Sequence, residues 1–360
     1  MSRYWSPLVR QLTPYTPGEQ PTIDGLIKLN TNESPYPPSP RVSACLTPEA
    51  VEKLRLYPDP NSTALKQSVA DYYGLCPGQV FAGNGSDEVL AFAFMAFFKQ
   101  SLPLLFPDIS YSFYPVYCRL FNIDAKALEL TQDLRIDLDD YRRPNGGIVF
   151  PNPNAPTGRA LPLDAIKRLL DDNTESVVLI DEAYVDFGAG SAAALVDCYP
   201  NLLVTQTLSK SRSLAGLRLG FALGSAELIE GLDRVKNSFN SYPVDRLAEA
   251  AGCAALADRD YFEQCRERII ASREWTREQL GQRGFEVLPS SANFLFARAP
   301  SQWDARDLAQ ALREERILVR HFERPRITNY LRISIGSRAD MKTLVEALDR
   351  ILPGSIQKLE

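Results

Sequence analysis

Val177-Val178-Leu179-Ile180-Asp181-Glu182-Ala183-Tyr184 is the stretch on which the fold class turns. Four aliphatic residues follow one another without polar alternation. They read as a strand buried on both faces, a pattern typical of parallel sheets covered by helices. The strand delivers the carboxylate of Asp181 at its carboxyl end. An unpaired carboxylate is expensive to bury, so Asp181 either meets a partner there or caps the next helix at the surface.

Working outward, Leu163 to Leu170 reads as a helix, and short apolar runs flank it. Gly147 to Phe150 and Leu102 to Phe106 lie upstream, and Leu202 to Thr205 lies downstream. Further upstream, Leu65 to Tyr73 reads as a helix, Gln79 to Ala82 as a strand and Asp87 to Phe98 as a buried helix. This alternation predicts an α/β fold with a mostly parallel sheet, whose ligands bind outside the carboxyl ends of the strands. Beyond the long charged helix Tyr261 to Leu280 the pattern changes. Strands Phe294 to Ala297, Ile317 to Val319 and Leu331 to Ile335 interleave with helices Ala305 to Glu314 and Asp340 to Ile351, predicting a smaller α/β domain. Pro35, Pro37, Pro38 and Pro40 make the first forty residues irregular, while Leu26-Ile27-Lys28-Leu29 offers apolar anchors for a docked arm. The expected division is an arm or part of the small domain at 1–40, a large domain at 41–245 and a small carboxyl-terminal domain at 246–360.

Composition narrows the function. The 360 residues are 45% hydrophobic, enough for a sizeable core. The net charge of -5 is scattered along the chain, so nothing resembles a basic stripe for nucleic acid. Cys45, Cys76, Cys118, Cys198, Cys253 and Cys265 form no C-x-x-C pair, and His321 is the one histidine. No metal site is therefore expected, and reduced thiols are. Met1-Ser2-Arg3-Tyr4-Trp5 has no apolar leader, and the apolar run Val89 to Phe98 is far short of the roughly 20 residues that span a bilayer. A cytoplasmic protein is expected.

Four motifs sit where strands end. Ala82-Gly83-Asn84-Gly85-Ser86-Asp87-Glu88 joins a strand to a helix, where glycines and free N–H groups suit a phosphate; alone it reads equally as a plain N-cap. A dinucleotide loop is disfavoured, because Glu88 stands where G-x-G-x-x-G needs its third glycine. Pro151-Asn152-Pro153-Asn154-Ala155-Pro156-Thr157-Gly158 is a rigid turn that can hold an amide against a ligand. The third is Asp181 with Tyr184. The fourth is Thr207-Leu208-Ser209-Lys210-Ser211-Arg212-Ser213-Leu214-Ala215-Gly216-Leu217-Arg218-Leu219-Gly220. A lysine is usually a solvated surface group. Here hydroxyls flank Lys210 and an apolar stretch follows, an environment that can desolvate an amine and lower its pKa.

In this order the four motifs resemble the fold type I pyridoxal-phosphate (PLP) enzymes. The narrower resemblance is to the histidinol-phosphate aminotransferases, in the class II aminotransferases. It is carried by Leu29-Asn30-Thr31-Asn32-Glu33-Ser34-Pro35, Tyr57-Pro58-Asp59, Ser291-Ala292-Asn293-Phe294, Ile317-Leu318-Val319-Arg320 and Leu331-Arg332-Ile333-Ser334-Ile335-Gly336. The resemblance implies a large domain on a mostly parallel seven-stranded sheet and a smaller carboxyl-terminal α/β domain. It also implies pyridoxal 5'-phosphate as cofactor, carried by Lys210, which then moves a proton during turnover. Asp181 would pair with the ring nitrogen, and Tyr184 and Asn154 with the ring hydroxyl oxygen. Tyr111 would stack on the ring. Gly85, Ser86, Asp87, Thr207, Ser209 and Arg218 would surround the cofactor phosphate. Tyr57 would reach that phosphate from a neighbouring subunit of a homodimer. Tyr15, Asn32, Arg320 and Arg332 would take the substrate, with His321 incidental. Relatives usually carry Asn directly before Pro-Thr-Gly, where this chain has Ala155, so whether Asn154 supplies the amide stays open.

The implied reaction interconverts histidinol phosphate and 2-oxoglutarate with imidazole-acetol phosphate and glutamate. An aromatic amino-acid aminotransferase or a PLP decarboxylase of a phosphorylated amino acid would use the same motifs. A non-catalytic PLP-binding regulator is disfavoured, since no DNA-binding pattern is visible.

Overall fold

The structure, a computed structural model, describes residues 3–352. The outermost residues of the expected arm (1–2) and of the expected small domain (353–360) lie outside the described residues. Twelve strands are described: β1 Ile27–Leu29, β2 Val80–Asn84, β3 Leu104–Pro107, β4 Ala125–Leu128, β5 Gly147–Pro151, β6 Val178–Asp181, β7 Leu202–Thr207, β8 Leu219–Gly224, β9 Glu286–Val287, β10 Phe294–Arg298, β11 Ile317–His321 and β12 Tyr330–Ser334.

Seven strands form one sheet in the order β2-β8-β7-β6-β5-β3-β4. It is parallel except at β8, which runs antiparallel to both β2 and β7. The continuous apolar spelling of β5, β6 and β7 has a direct cause. Ile148, Phe150, Val178, Ile180, Val204 and their neighbours point into one core. Val149, Leu179 and Leu203 point into another on the opposite face. Alternation in space thus needs no alternation in chemistry when both faces are covered. Helix Leu163–Asp172 packs Ile166, Leu169 and Leu170 into the first core. Helix Gly85–Phe97 packs Val89, Leu90 and Phe94 into the second.

Two strands of this sheet escape the sequence pattern. β4 is an edge strand with a two-residue exposed centre, Lys126-Ala127. β8 contains two glycines and follows the Lys210 segment, so it reads as part of a loop. Gly220 is required there: a Cβ would lie 2.3 Å from the backbone nitrogen of Ser86.

The second sheet has five strands in the order β1-β11-β12-β10-β9. β1 joins it in parallel with β11, aligning Ile27 with Ile317 and Leu29 with Val319. Leu29, Leu295, Leu308, Leu312, Val319, Ile333 and Leu344 form its core beneath helices Arg259–Gln282, Ala305–Glu314 and Arg338–Ile351. The amino-terminal arm is therefore stitched to the far end of the chain.

The division at 245/246 needs correction. Helix Arg246–Ala257 is not part of the small body. Its Ala248, Ala251, Ala255 and Leu256 pack with Val42, Leu65 and Val69 in the core of the large sheet. Small side chains let this helix lie close to helix Thr63–Tyr73; Gly252 is so tight that a Cβ would meet Leu65 at 3.0 Å. The change of body comes at Asp258, whose side chain caps helix Arg259–Gln282. Among the described residues no helix is long and apolar enough to cross a membrane.

Candidate active site

Three carboxyl ends of the large sheet supply the chemistry. Asp181 ends β6 with 4% of its surface exposed. The Tyr114 hydroxyl donates to its Oδ2 at 3.0 Å, and the Ala183 N–H donates to Oδ1 at 3.3 Å. Burial pushes this carboxyl up to about 6, against the pull of those two donors. A charge partner placed at Asp181 would reverse that shift.

Lys210 follows β7 on a run of turns rather than a helix. The turns close through Leu208 N to Leu219 O at 3.0 Å and Leu214 N to Leu208 O at 3.0 Å. Ser213 and Arg218 take the left-handed conformation, at φ 59° and 54°. The Lys210 Nζ donates to the carbonyl of Thr31 at 3.0 Å and lies 5.9 Å from the Tyr184 ring centroid. Burial first, and the nearby Arg332 second, push the amine down to about 8. The residue keeps some accessible surface, so a ligand can reach it.

The start of helix Gly85–Phe97 forms a cradle. Gly85 has φ +79°, and a Cβ there would sit 2.5 Å from Arg218 Nη2. Arg218 Nη2 donates to Asp87 Oδ2 at 3.2 Å, and the Tyr111 hydroxyl donates to Asp87 Oδ1 at 2.7 Å. Opposite, the Ser209 N–H donates to Thr207 Oγ1 at 3.1 Å. Free first-turn N–H groups, two hydroxyls and a guanidinium are a phosphate-binding set, on a backbone too close for any side chain at 85.

On the small-sheet side, Arg320 and Arg332 are direct cross-strand partners on β11 and β12. Arg332 Nη2 donates to Asn30 O at 2.8 Å, while its Nε is buried with no hydrogen-bond partner. Its guanidinium lies 5.5 Å from the Phe294 ring centroid. Burial, with Arg320 adding to it, lowers the pKa of Arg332. Tyr15 rests on Phe113, ring centroids 4.8 Å apart, and faces Arg332 closely enough to interact with its charge. Asn32, with φ 55°, donates from Nδ2 to the Tyr184 hydroxyl oxygen at 3.0 Å.

Asn154 and Tyr57, also expected at the site, have other partners within this chain. Asn154 commits its amide N–H groups to Ile109 O and Thr157 Oγ1, both at 3.1 Å, and its buried Oδ1 has no partner. Ile109 O can only accept, so the amide cannot turn to offer a donor elsewhere. Ala155 packs with Ala292, Phe294 and Tyr184 and has only a methyl group to present. Tyr57 is 78% exposed and stacks on Tyr242, ring centroids 4.8 Å apart, outside the cradle of its own chain. Tyr114, the Thr31 carbonyl, Asn293 and Ser334 enter the site without having been singled out. Thr31, Asn293 and Ser334 lie in quoted motifs and Tyr114 lies three residues after Tyr111, but nothing local says that their polar atoms face inward.

A model of the aminotransferase class I and II family matches residues 24–348. The chain belongs to the class I and II aminotransferases. Among curated relatives, histidinol-phosphate aminotransferase 1 of Methylococcus capsulatus is 59% identical over 98% of this chain and 99% of its own length. The enzyme of the same name from Hydrogenovibrio crunogenus is 60% identical, again over 98% and 99%. Among solved structures, histidinol-phosphate aminotransferase of Sinorhizobium meliloti, crystallised with pyridoxal-5'-phosphate, superposes with a TM-score of 0.87. It is 24% identical and covers 98% of each chain, a likeness of fold.

Proposed function

We propose that this aminotransferase interconverts L-histidinol phosphate plus 2-oxoglutarate and imidazole-acetol phosphate plus L-glutamate, with pyridoxal 5'-phosphate as cofactor, as a cytoplasmic step of histidine biosynthesis. The relatives at 59% and 60% identity support the substrate. The observation that carries the reading is the Arg320–Arg332 cross-strand pair, of which Arg332 acts on the charge of Lys210. Like charges directly opposite on a sheet repel. A buried guanidinium nitrogen without a partner adds to that cost. Both costs are offset when an anion, carboxylate or phosphate, binds between them. One such site serves glutamate and histidinol phosphate in turn.

The residues present fit the cofactor. Lys210 would carry it, Asp181 would face its ring nitrogen, and Gly85, Ser86, Asp87, Thr207, Ser209 and Arg218 would surround its phosphate. Tyr111 and Tyr184 would bound the ring. When bound, pyridoxal phosphate supplies an electron-accepting ring conjugated to the substrate α-carbon. The protein does the rest. The buried Lys210 amine, brought towards neutrality, would move a proton between the substrate Cα and C4′ of the cofactor. Asp181 holds a proton on the ring nitrogen by charge. Arg332 and Arg320 fix the substrate's anionic end, and Tyr15 closes over it from the arm.

Comparison of kcat/KM for histidinol phosphate and phenylalanine tests the substrate. The expected preference for histidinol phosphate is on the order of 100-fold, and Arg332→Ala should raise its KM about 10- to 100-fold. Equal or better turnover of phenylalanine would point to an aromatic aminotransferase, and carbon dioxide release without glutamate would point to a decarboxylase.

A homodimer completes the reading. Tyr57 is presented outward on a loop whose backbone is gripped by Arg246 at Leu56 O and Tyr57 O, and by Lys236 at Pro60 O. Exposed Leu54, Leu56, Phe239 and Tyr242 make that region apolar. Solution mass should be that of a dimer, and Tyr57→Phe should weaken cofactor binding about tenfold with the dimer intact. A monomer with full activity, or unchanged cofactor affinity, would remove Tyr57 from the site.

A further inference from the structure

We infer that Asn32 is a positioning residue that aims the hydroxyl proton of Tyr184 into the ligand pocket, and that Ser334 sets the direction of Asn32. The inference rests on the cofactor reading above and deepens it.

The direction follows from which groups can only donate. The backbone N–H of Asn32 donates to Ser334 Oγ at 2.8 Å. The Ser334 hydroxyl is buried, and the acceptor the structure gives it is Asn32 Oδ1, at 2.8 Å. Oδ1 therefore faces Ser334, and the NH₂ group faces Tyr184. Turning the amide over would leave the buried Ser334 proton without that acceptor, which is unfavourable. The Asn32 carbonyl is held in turn by Asn293 Nδ2 at 3.0 Å. Asn32 sits at φ 55°, a conformation that Asn tolerates better than most residues.

Tyr184 thus receives a hydrogen bond on its oxygen from Nδ2 at 3.0 Å. Its own proton has to point elsewhere. Phe294 closes one side of the ring edge-on, at 5.0 Å between centroids, and Lys210 Nζ lies 5.9 Å from the centroid on the pocket side. Ala155 beside it has no donor, and Asn154 has committed its own. The Tyr184 proton is the one this corner of the pocket offers to an anionic ring oxygen. Three distant parts of the chain set it: residue 32 of the arm, residue 184 just beyond β6 and residue 334 of the small sheet.

The test is a spectrophotometric pH titration of the visible band of the holoenzyme. Asn32→Asp keeps the size and tolerates the backbone, but its ionised carboxylate can only accept. It should draw the Tyr184 proton to itself. The midpoint of the titration should rise by about one pH unit, a tenfold gain in proton affinity of the bound cofactor. Tyr184→Phe should shift it as far, and the double variant no further than Tyr184→Phe alone. Ser334→Ala frees the amide to turn and should shift the midpoint in the same direction by less. A wild-type midpoint in both Asn32→Asp and Ser334→Ala overturns the inference. So does an Asn32→Asp shift that persists in full without the tyrosine hydroxyl, since that would be added charge alone. If the wild-type protein binds no pyridoxal phosphate, the cofactor reading itself falls, and the inference with it.

Discussion

Lys210→Ala should fold normally, lose the visible band of the bound cofactor and turn over on the order of 10⁴-fold more slowly. The size follows from what the amine does. A positioned general base contributes about 10²- to 10⁴-fold, and in the proposed mechanism this residue also carries the cofactor. The fold should survive, because the amine makes one hydrogen bond, to Thr31 O, and its charged form is disfavoured where it sits. Removing a desolvated cation relieves a cost. Thermal unfolding should therefore be close to wild type, which separates lost chemistry from lost structure. Small primary amines added in solution should restore part of the activity, since the space and the surrounding charges remain. Turnover above about 1% of wild type would show that another group moves the proton. Borohydride fixation of the label on a peptide lacking Lys210 would refute the attachment.

Asp181→Asn should keep the shape of the site and lose on the order of 10²- to 10³-fold in kcat. The side chain is nearly isosteric, and its oxygen can still accept from Tyr114 or Ala183. What goes is the negative charge that would hold a proton on the cofactor ring. The pH dependence gives a second readout. Without cofactor, burial holds the Asp181 carboxyl at about 6. It must be charged to pair with a protonated ring, so cofactor affinity in the wild type should weaken as pH falls through 6. The asparagine variant has no proton to take up and should lack that component. Near-normal kcat, or the same pH profile in both proteins, would remove Asp181 from the role.

Much of the candidate site is legible in the chain because it hangs on strand ends. β5, β6 and β7 are buried on both faces, so each is spelled as an apolar run, and the first polar residue after the run stands at the sheet's carboxyl edge. Asp181 and the Lys210 segment are found in that way, and the Gly85-Ser86-Asp87 cradle by its glycines and helix start. Asn154 shows the limit. An amide in a rigid turn looks like a ligand donor, but only the fold shows Ile109 O already holding it.

Helix Arg246–Ala257 is not assigned to its body by its sequence, for a related reason. Its alanines and glycine would suit either body, and its membership depends on Leu65 and Val69 nearly 180 residues away in the chain.

By itself, then, the sequence determined the class of fold, the strand-end chemistry and the family, because burial pattern, glycine placement and motif order are local or consecutive properties. The tertiary structure alone decided which groups face one another. β1 aligned with β11 brings Asn30 to Arg332 and Asn32 to Ser334, each 302 residues apart. No local preference encodes such a pairing. It follows from burying Ile27 and Leu29 beside Ile317 and Val319, and the hydrogen-bond directions at Tyr184 follow from it in turn.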